Sequence, residues 1–241
     1  MKTINVLCIM LLFPILITKS FAQCDTLGYP LQGIITLIPS TYQGYVAGNN
    51  DFGDLAKANY FPDNGNLSVV SGAFYWFGAA TGNPNQPVEF AVWDNTGQSG
   101  TPGNIIASKS IPLGIIIHDV IHNNMTYVQF DIPVIITTPF YVGVFLPVYE
   151  GDTIALYTNT DGDGGGNLAW EMWSDGSWYS YIDSWGIDVL QAIFPTDCFG
   201  FGTGYSNVIS GYVYRDINNN CIYDSTDSPV NNALVKAIPG P

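Results

Sequence analysis

Positive charge is what this sequence most lacks. Its 241 residues carry 6 Lys+Arg against 20 Asp+Glu, a formal net charge of −14. Lys2 and Lys19 fall in an N-terminal leader described below. The remainder keeps Lys57, Lys109, Arg215 and Lys236 against all 20 acids, or 4 − 20 = −16. So few cations cannot neutralise a phosphate backbone or hold an anionic bilayer, which excludes nucleic acid and acidic membrane surfaces as partners. Histidine is nearly absent, with only His118 and His122, and no G-x-S-x-G nucleophile motif occurs. A sustained 3.6-residue apolar period is missing, which argues against a helical bundle. Beyond the leader no apolar run is long enough to span a bilayer. Cysteine is sparse, at Cys8, Cys24, Cys198 and Cys221.

The leader itself is legible. Lys2 gives a short basic start, residues 4–17 (INVLCIMLLFPILI) form an apolar core broken by Pro14, and Ser20-Phe21-Ala22 puts small residues at −3 and −1. Residues 1–22 therefore read as a signal peptide cleaved before Gln23, and the protein as secreted or held at the cell surface. A lipoprotein reading would modify Cys24, but Gln23 is a poor fit to the small residue such a site needs. Cys8 leaves with the leader, so three cysteines remain in an oxidising compartment, with three possible pairings. Cys24 and Cys198 bracket the central region, and a bridge between them is the preferred pairing. Cys221 is then left over.

Between residues 23 and 198, apolar and aromatic runs recur with turn residues between them. The clearest are residues 67–78, 88–93, 105–108, 126–130, 140–146, 153–157, 168–173, 178–181 and 187–194. Roughly nine short strands point to an all-β fold, a jelly-roll-like two-sheet sandwich. Residues 55–60 read as one helical turn. The two histidines stand in HDVIH, an i, i+4 pair with an acid between, as in a helical zinc site. The β-branched surroundings Ile115, Ile116, Ile117, Val120 and Ile121 place them on a strand instead, where residues four apart lie about 13 Å from each other. That is too far for one metal, and a polar pair at a strand end is the expectation. Nothing in the region specifies catalysis. Carboxylate pairs of the glycosidase kind depend on a spatial separation that 20 scattered acids do not fix.

Two stretches of the sandwich are candidate sites. Trp170, Trp173, Trp178, Tyr181 and Trp185 crowd beside Asp175 and Asp183. Flat rings beside acids and amides suit stacking on sugar faces. The same rings would also fill a core between sheets, with Trp173 and Trp178 paired across a hairpin. The loop at residues 159–167 (NTDGDGGGN) places Asn159, Asp161, Asp163 and Asn167 at positions 1, 3, 5 and 9, the oxygen spacing of a weak calcium loop. A glycine-rich surface turn is the alternative.

The strongest spacing lies near the C-terminal end, after a hinge at residues 199–207 (FGFGTGYSN). Asp216, Asn218, Asn220, Asp224 and Asp227 fall at positions 1, 3, 5, 9 and 12 of a loop, and Ile222 at position 7 would offer its carbonyl. A hard cation wants six to eight oxygens, and this is the spacing that supplies them to Ca2+. Cys221 replaces the usual glycine at position 6, and an Asx-rich turn is the alternative. The flanking residues 208–214 (VISGYVY) and 233–238 (ALVKAI) are β-rich, so the loop joins strands, not helices. Gly211, Val213, Asp216, Asn218, Asn220, Asp224 and Asp227 resemble the B-type repeat modules of serine-aspartate-repeat surface adhesins and related collagen-binding B-type modules. The resemblance covers residues 208–241. It implies the start of an Ig-like calcium-binding β-sandwich. Such a fold needs about seven strands and ~100 residues, so further modules are expected beyond residue 241.

The central region is also similar to the N-terminal sandwich of large bacterial surface proteins exported by the type IX secretion system. The likeness rests on Gly44-Tyr45, Gly48-Asn49-Asn50, Gly53-Asp54, Ala56-Lys57-Ala58, Trp93-Asp94, Thr101-Pro102-Gly103, Phe140-Tyr141-Val142-Gly143 and the final Trp-Ser-Asp-Gly-Ser-Trp. Together these readings give a secreted or cell-surface adhesion or display protein, non-catalytic in this region, with a calcium-stabilised module and an extracellular glycan or protein ligand. The alternative is a glycan-binding module of a larger carbohydrate-active extracellular enzyme.

Overall fold

Antiparallel pairing of short apolar and aromatic strands builds two main sheets. In the computed structural model, residues 25–27, 31–62, 68–137, 139–197, 214, 215, 217, 228 and 229 are described. The strands of the sandwich are β1 (Asp25–Thr26), β2 (Ala56–Phe61), β3 (Ser68–Tyr75), β4 (Phe77–Thr81), β5 (Pro87–Asp94), β6 (Ile105–Pro112), β7 (Thr126–Ile136), β8 (Phe140–Phe145), β9 (Thr153–Leu156), β10 (Ala169–Met172), β11 (Trp178–Ser180) and β12 (Ile193–Asp197). One sheet has the order β1-β12-β3-β7, a second has β11-β10-β2-β8-β5-β6, and β4 pairs with β9. The fold is an all-β sandwich, as the strand spacing implies.

The core lies between the two main sheets. Val70, Tyr75, Val128 and Phe130 come from one, and Val88, Phe90, Val92, Phe140, Val142 and Val144 from the other, with Ile154 and Leu156 of β9 joining them. Alternation sends the intervening residues of the six-stranded sheet outward. There Trp93, Tyr141, Ala58 and Ala91 form a separate cluster with Tyr60, Phe145, Trp170 and Trp178. Gly143 of β8 sits against the Lys57 carbonyl and Ala58, with no room for a Cβ.

Three local expectations are corrected. Residues 55–60 are not a helical turn: they open β2, paired with β8 on one side and β10 on the other. Alanine and lysine favour helices in isolation, but two flanking ladders override so small a preference. The run 67–78 is broken at Trp76, so that β3 and β4 join different sheets. The HDVIH segment lies not on a strand but on α1 (Leu113–Ile121). Leu113 and Ile116 are fully buried, Ile117 and Val120 pack on the same core, and Ile115 and Ile121 are exposed. That is an i, i+3, i+4, i+7 stripe, whose period the β-branched residues disguised. The helix brings the His118 and His122 rings to 4.2 Å between centroids. The two histidines are therefore neighbours, not about 13 Å apart as on a strand. Even so, among the described residues no three His, Cys, Asp or Glu side chains are grouped closely enough to hold a metal. No described helix is long and apolar enough to cross a membrane.

The chain divides into two compact units, Met1–Gly200 and Phe201–Pro241. In the second, β13 (Tyr214–Arg215) pairs antiparallel with β14 (Ser228–Pro229), with Arg215 opposite Ser228. The leader, the cysteines Cys24, Cys198 and Cys221, and the calcium-loop residues Asp216, Asn218, Asn220, Ile222, Asp224 and Asp227 lie outside the described residues.

Candidate functional site

Glu171 is where the site begins. On β10 the alternation turns Ala169 and Glu171 toward the inner face and Trp170 and Met172 outward. Across the ladder Glu171 is paired with Lys57 of β2, which in turn is paired with Val144 of β8. A lysine is thus placed on the core side of a central strand, with no exposed surface. An unpaired ammonium there would be very costly. Its Nζ instead donates to Glu171 Oε2 and to Asp54 Oδ2, each at 2.7 Å, and lies 5.4 Å from the centre of the Tyr181 ring. Asn50 Nδ2 donates to the same Asp54 oxygen, also at 2.7 Å.

Glu171 also holds two indoles. Trp173 Nε1 donates to its Oε1 at 2.9 Å, and Trp185 Nε1 to its Oε2 at 2.8 Å. Burial alone would raise the Glu171 pKa. The charge of Lys57 and the hydrogen bonds from Lys57, Trp185 and Trp173 outweigh it, so this carboxyl sits below its ordinary value. In Asp54 the balance is reversed. Burial, with the Glu171 charge added, outweighs Lys57 and Asn50 and raises its pKa. Tyr181, fully enclosed, is raised well above the usual phenol value by burial and by the charges of Glu171 and Asp54. Its hydroxyl lies 3.1 Å from the Val46 carbonyl and 3.2 Å from Gln191 Oε1.

A pocket of about 260 Å³ opens beside this cluster, lined by Phe52, Asp54, Glu171, Trp173, Ser174, Ser184 and Trp185. It falls just below the roughly 300–1,000 Å³ of drug-sized sites, so it takes a group the size of one ring. Each wall has a local cause. Trp173 starts the turn of the β10–β11 hairpin, where its N–H bonds to the Ser177 carbonyl, and its ring lies 4.2 Å from that of Tyr179. Trp185 ends the short helix α2 (Tyr181–Trp185), which Ser180 caps and which Gly186 stops at φ +70°. The four-residue spacing puts both rings on one face of this helix, Tyr181 fully buried and Trp185 at the pocket. Phe52 meets Trp185 edge-on at 5.4 Å, and Tyr42 meets Phe52 edge-on at 5.9 Å. Trp173, Phe52 and Tyr42 are 39%, 49% and 74% exposed.

The aromatic cluster read from the sequence is therefore divided. Trp173 and Trp185 come together at the pocket. Trp170 and Trp178 lie on the outer sheet face, edge-on to Tyr141 and Trp93 respectively. Tyr181 is 1% exposed and packs inside. Trp178 stands opposite Met172, so Trp173 and Trp178 are not cross-strand partners. Phe52, Asp54, Lys57 and Glu171 were missed. The available signal was Lys57 itself, one of two lysines between residues 25 and 197 and set between Ala56 and Ala58.

In the loop at residues 159–167, one side-chain oxygen each of Asn159, Asp161 and Asp163 accepts a hydrogen bond within the fold. Asn159 is fully buried, accepting from Leu190 N and donating to the Asp163 carbonyl. Asp161 accepts from Asp188 N, and Asp163 from the Thr160 hydroxyl. Asn167 adopts φ +51°. Compared with known proteins, the chain finds no counterpart: no family model, curated protein or solved structure matches it.

Proposed function

We propose that this chain belongs to a secreted or cell-surface adhesion protein whose sandwich binds an extracellular glycan in the Phe52–Trp173–Trp185 pocket. One observation carries the reading: the Glu171 carboxylate holds both pocket indoles by their N–H groups. Rings fixed before the ligand arrives lose little freedom on binding, which is how a small aromatic site gains affinity. Around the rings, Ser174, Ser184 and Asp54 supply polar atoms for hydroxyl groups. The same pocket would serve a glycan-binding module of a larger carbohydrate-active enzyme.

Two further features support the extracellular setting. The last described pair of the β1–β12 ladder is Asp25 opposite Asp197, and in the sequence Cys24 precedes the first and Cys198 follows the second. A bridge between Cys24 and Cys198 would lock the two ends of the domain together. In the second unit, the β13–β14 pairing closes on the twelve residues 216–227, the loop whose spacing suits Ca2+. A bound ion there would stiffen the turn. Asp216→Ala and Asp224→Ala would each abolish saturable calcium binding by calorimetry, and binding that survives both would reduce the loop to an Asx turn.

The test of the main reading is a glycan array probed with the intact protein and with Trp173→Ala and Trp185→Ala. Binding to a defined set of glycans that both variants lose would support it. Binding that both variants retain would place recognition elsewhere on the molecule, and a blank array would overturn glycan binding.

A further inference from the structure

The pocket has an unbalanced charge. Asp54 and Glu171 line it, whereas Lys57, the ion between them, does not. Lys57 has no exposed surface and donates to both carboxylates at 2.7 Å. One cation shared by two carboxylates leaves the cluster with one negative charge, and a ligand entering the pocket meets the acids while the ammonium stays behind them. No second lysine or arginine corrects this. Between residues 25 and 197 the only other one is Lys109, which pairs with Asp131 in the β6–β7 region.

The walls agree with the floor. Phe52, Trp173 and Trp185 present aromatic rings, whose negative faces attract a cation as well as stacking on a sugar. The Glu171 oxygens are already taken by Lys57, Trp173 and Trp185, so this carboxylate acts on a ligand mainly through its charge. A uronic or sialic acid would place like charges together in a partly dry site. A neutral sugar would gain the stacking and hydrogen bonds to its hydroxyl groups, but no attraction of charge. A sugar bearing a cationic amine would gain stacking, cation–π attraction and the uncompensated charge of the Asp54–Lys57–Glu171 cluster. The strongly negative chain would also draw such a ligand in from solution.

We infer that the preferred occupant of this pocket is a cationic amino sugar. This rests on the glycan-binding reading and sharpens it to a ligand class. The test uses the full chain at neutral pH, with tryptophan fluorescence as the readout. Two probes of equal length are compared, a tetramer of N-trimethylglucosamine, whose charge is fixed, and a tetramer of N-acetylglucosamine. The charged tetramer is expected to bind about tenfold more tightly. That preference should shrink as salt is raised and should vanish in Asp54→Asn, while Trp185→Leu weakens both probes. The comparison on the native protein needs no variant, so it stands even if Asp54→Asn folds poorly. Equal affinity, or a preference for the acetylated tetramer, would overturn the inference and leave glycan binding intact. Failure of both tetramers would overturn it as well, and glycan binding would fall with it only if the array is also blank.

Discussion

The inner face of the six-stranded sheet carries two opposite solutions to burial. On β5 and β8 it presents Phe90, Val92, Val142 and Val144, packed between the sheets. One strand further on, β2 and β10 present Lys57, Asn59 and Glu171, equally hidden from water. Asn59 bonds to the Gln191 backbone at 2.7 Å, and Gln191 reaches the Ala58 carbonyl at 2.8 Å. The apolar half holds because each side chain leaves water, and each contributes separately. The polar half holds only as a whole, because every member lost leaves another buried and unpaired. A fold needs only the first kind of packing. The second fixes side chains in single orientations, and the pocket lies beside it.

Denaturant unfolding can break this comparison. Phe90→Ala should cost about 3–5 kcal/mol by leaving a cavity. Lys57→Met should cost a similar ~3–5 kcal/mol, for the different reason that it strands two carboxylates. The two losses then part ways. Adding Asp54→Asn and Glu171→Gln to Lys57→Met should restore most of the stability, since replacing a whole buried ion cluster is often near neutral. A triple variant as unstable as Lys57→Met would show that the cluster is not bound by charge. Next in size, Trp185→Phe should cost about 1.5–3 kcal/mol by removing one donor to an ionised carboxylate, and should weaken glycan binding as well.

Acidity sharpens the contrast, because the two carboxylates respond in opposite directions. The Glu171 pKa is lowered in the fold, so its contribution is present above its ordinary value of 4.5 and is lost as pH falls through the folded value. The Asp54 pKa is raised, so its contribution is present below its ordinary 3.8 and is lost as pH rises through the folded value. Stability measured against pH should therefore lose its acid-side decline in Glu171→Gln and its decline with rising pH in Asp54→Asn. The smallest effect is expected at the surface. The Lys109–Asp131 pair is 35% and 77% exposed, and Lys109→Ala should change stability by less than about 1 kcal/mol.

The apolar half was legible in the sequence. VEFAVW and FYVGVF are nearly continuous apolar and aromatic runs and became β5 and β8, buried on both faces. The runs 105–108 and 126–130 were found but grew into longer strands, because pairing with neighbours extends a strand past its apolar centre. The last expected strand shifted from 187–194 to Ile193–Asp197, since the preceding residues serve the polar half. AKANYF was misread because alanine, lysine and asparagine carry no strand signal of their own. In the site, two of five aromatic candidates, Trp173 and Trp185, line the pocket. Their partners escaped because Lys57 and Glu171 stand 114 residues apart, and nothing local marks a charge that another strand will neutralise.

Indole N–H resonances would show whether Trp173 and Trp185 form the binding surface. The chain has 6 tryptophans, so six signals can be assigned by substitution and followed during titration with an array-positive glycan. The Trp173 and Trp185 signals are expected to shift with saturation while those of Trp76, Trp93, Trp170 and Trp178 stay nearly fixed. Shifts confined to Trp93, Trp170 and Trp178 would move recognition to the outer face of the sheet and contradict this reading.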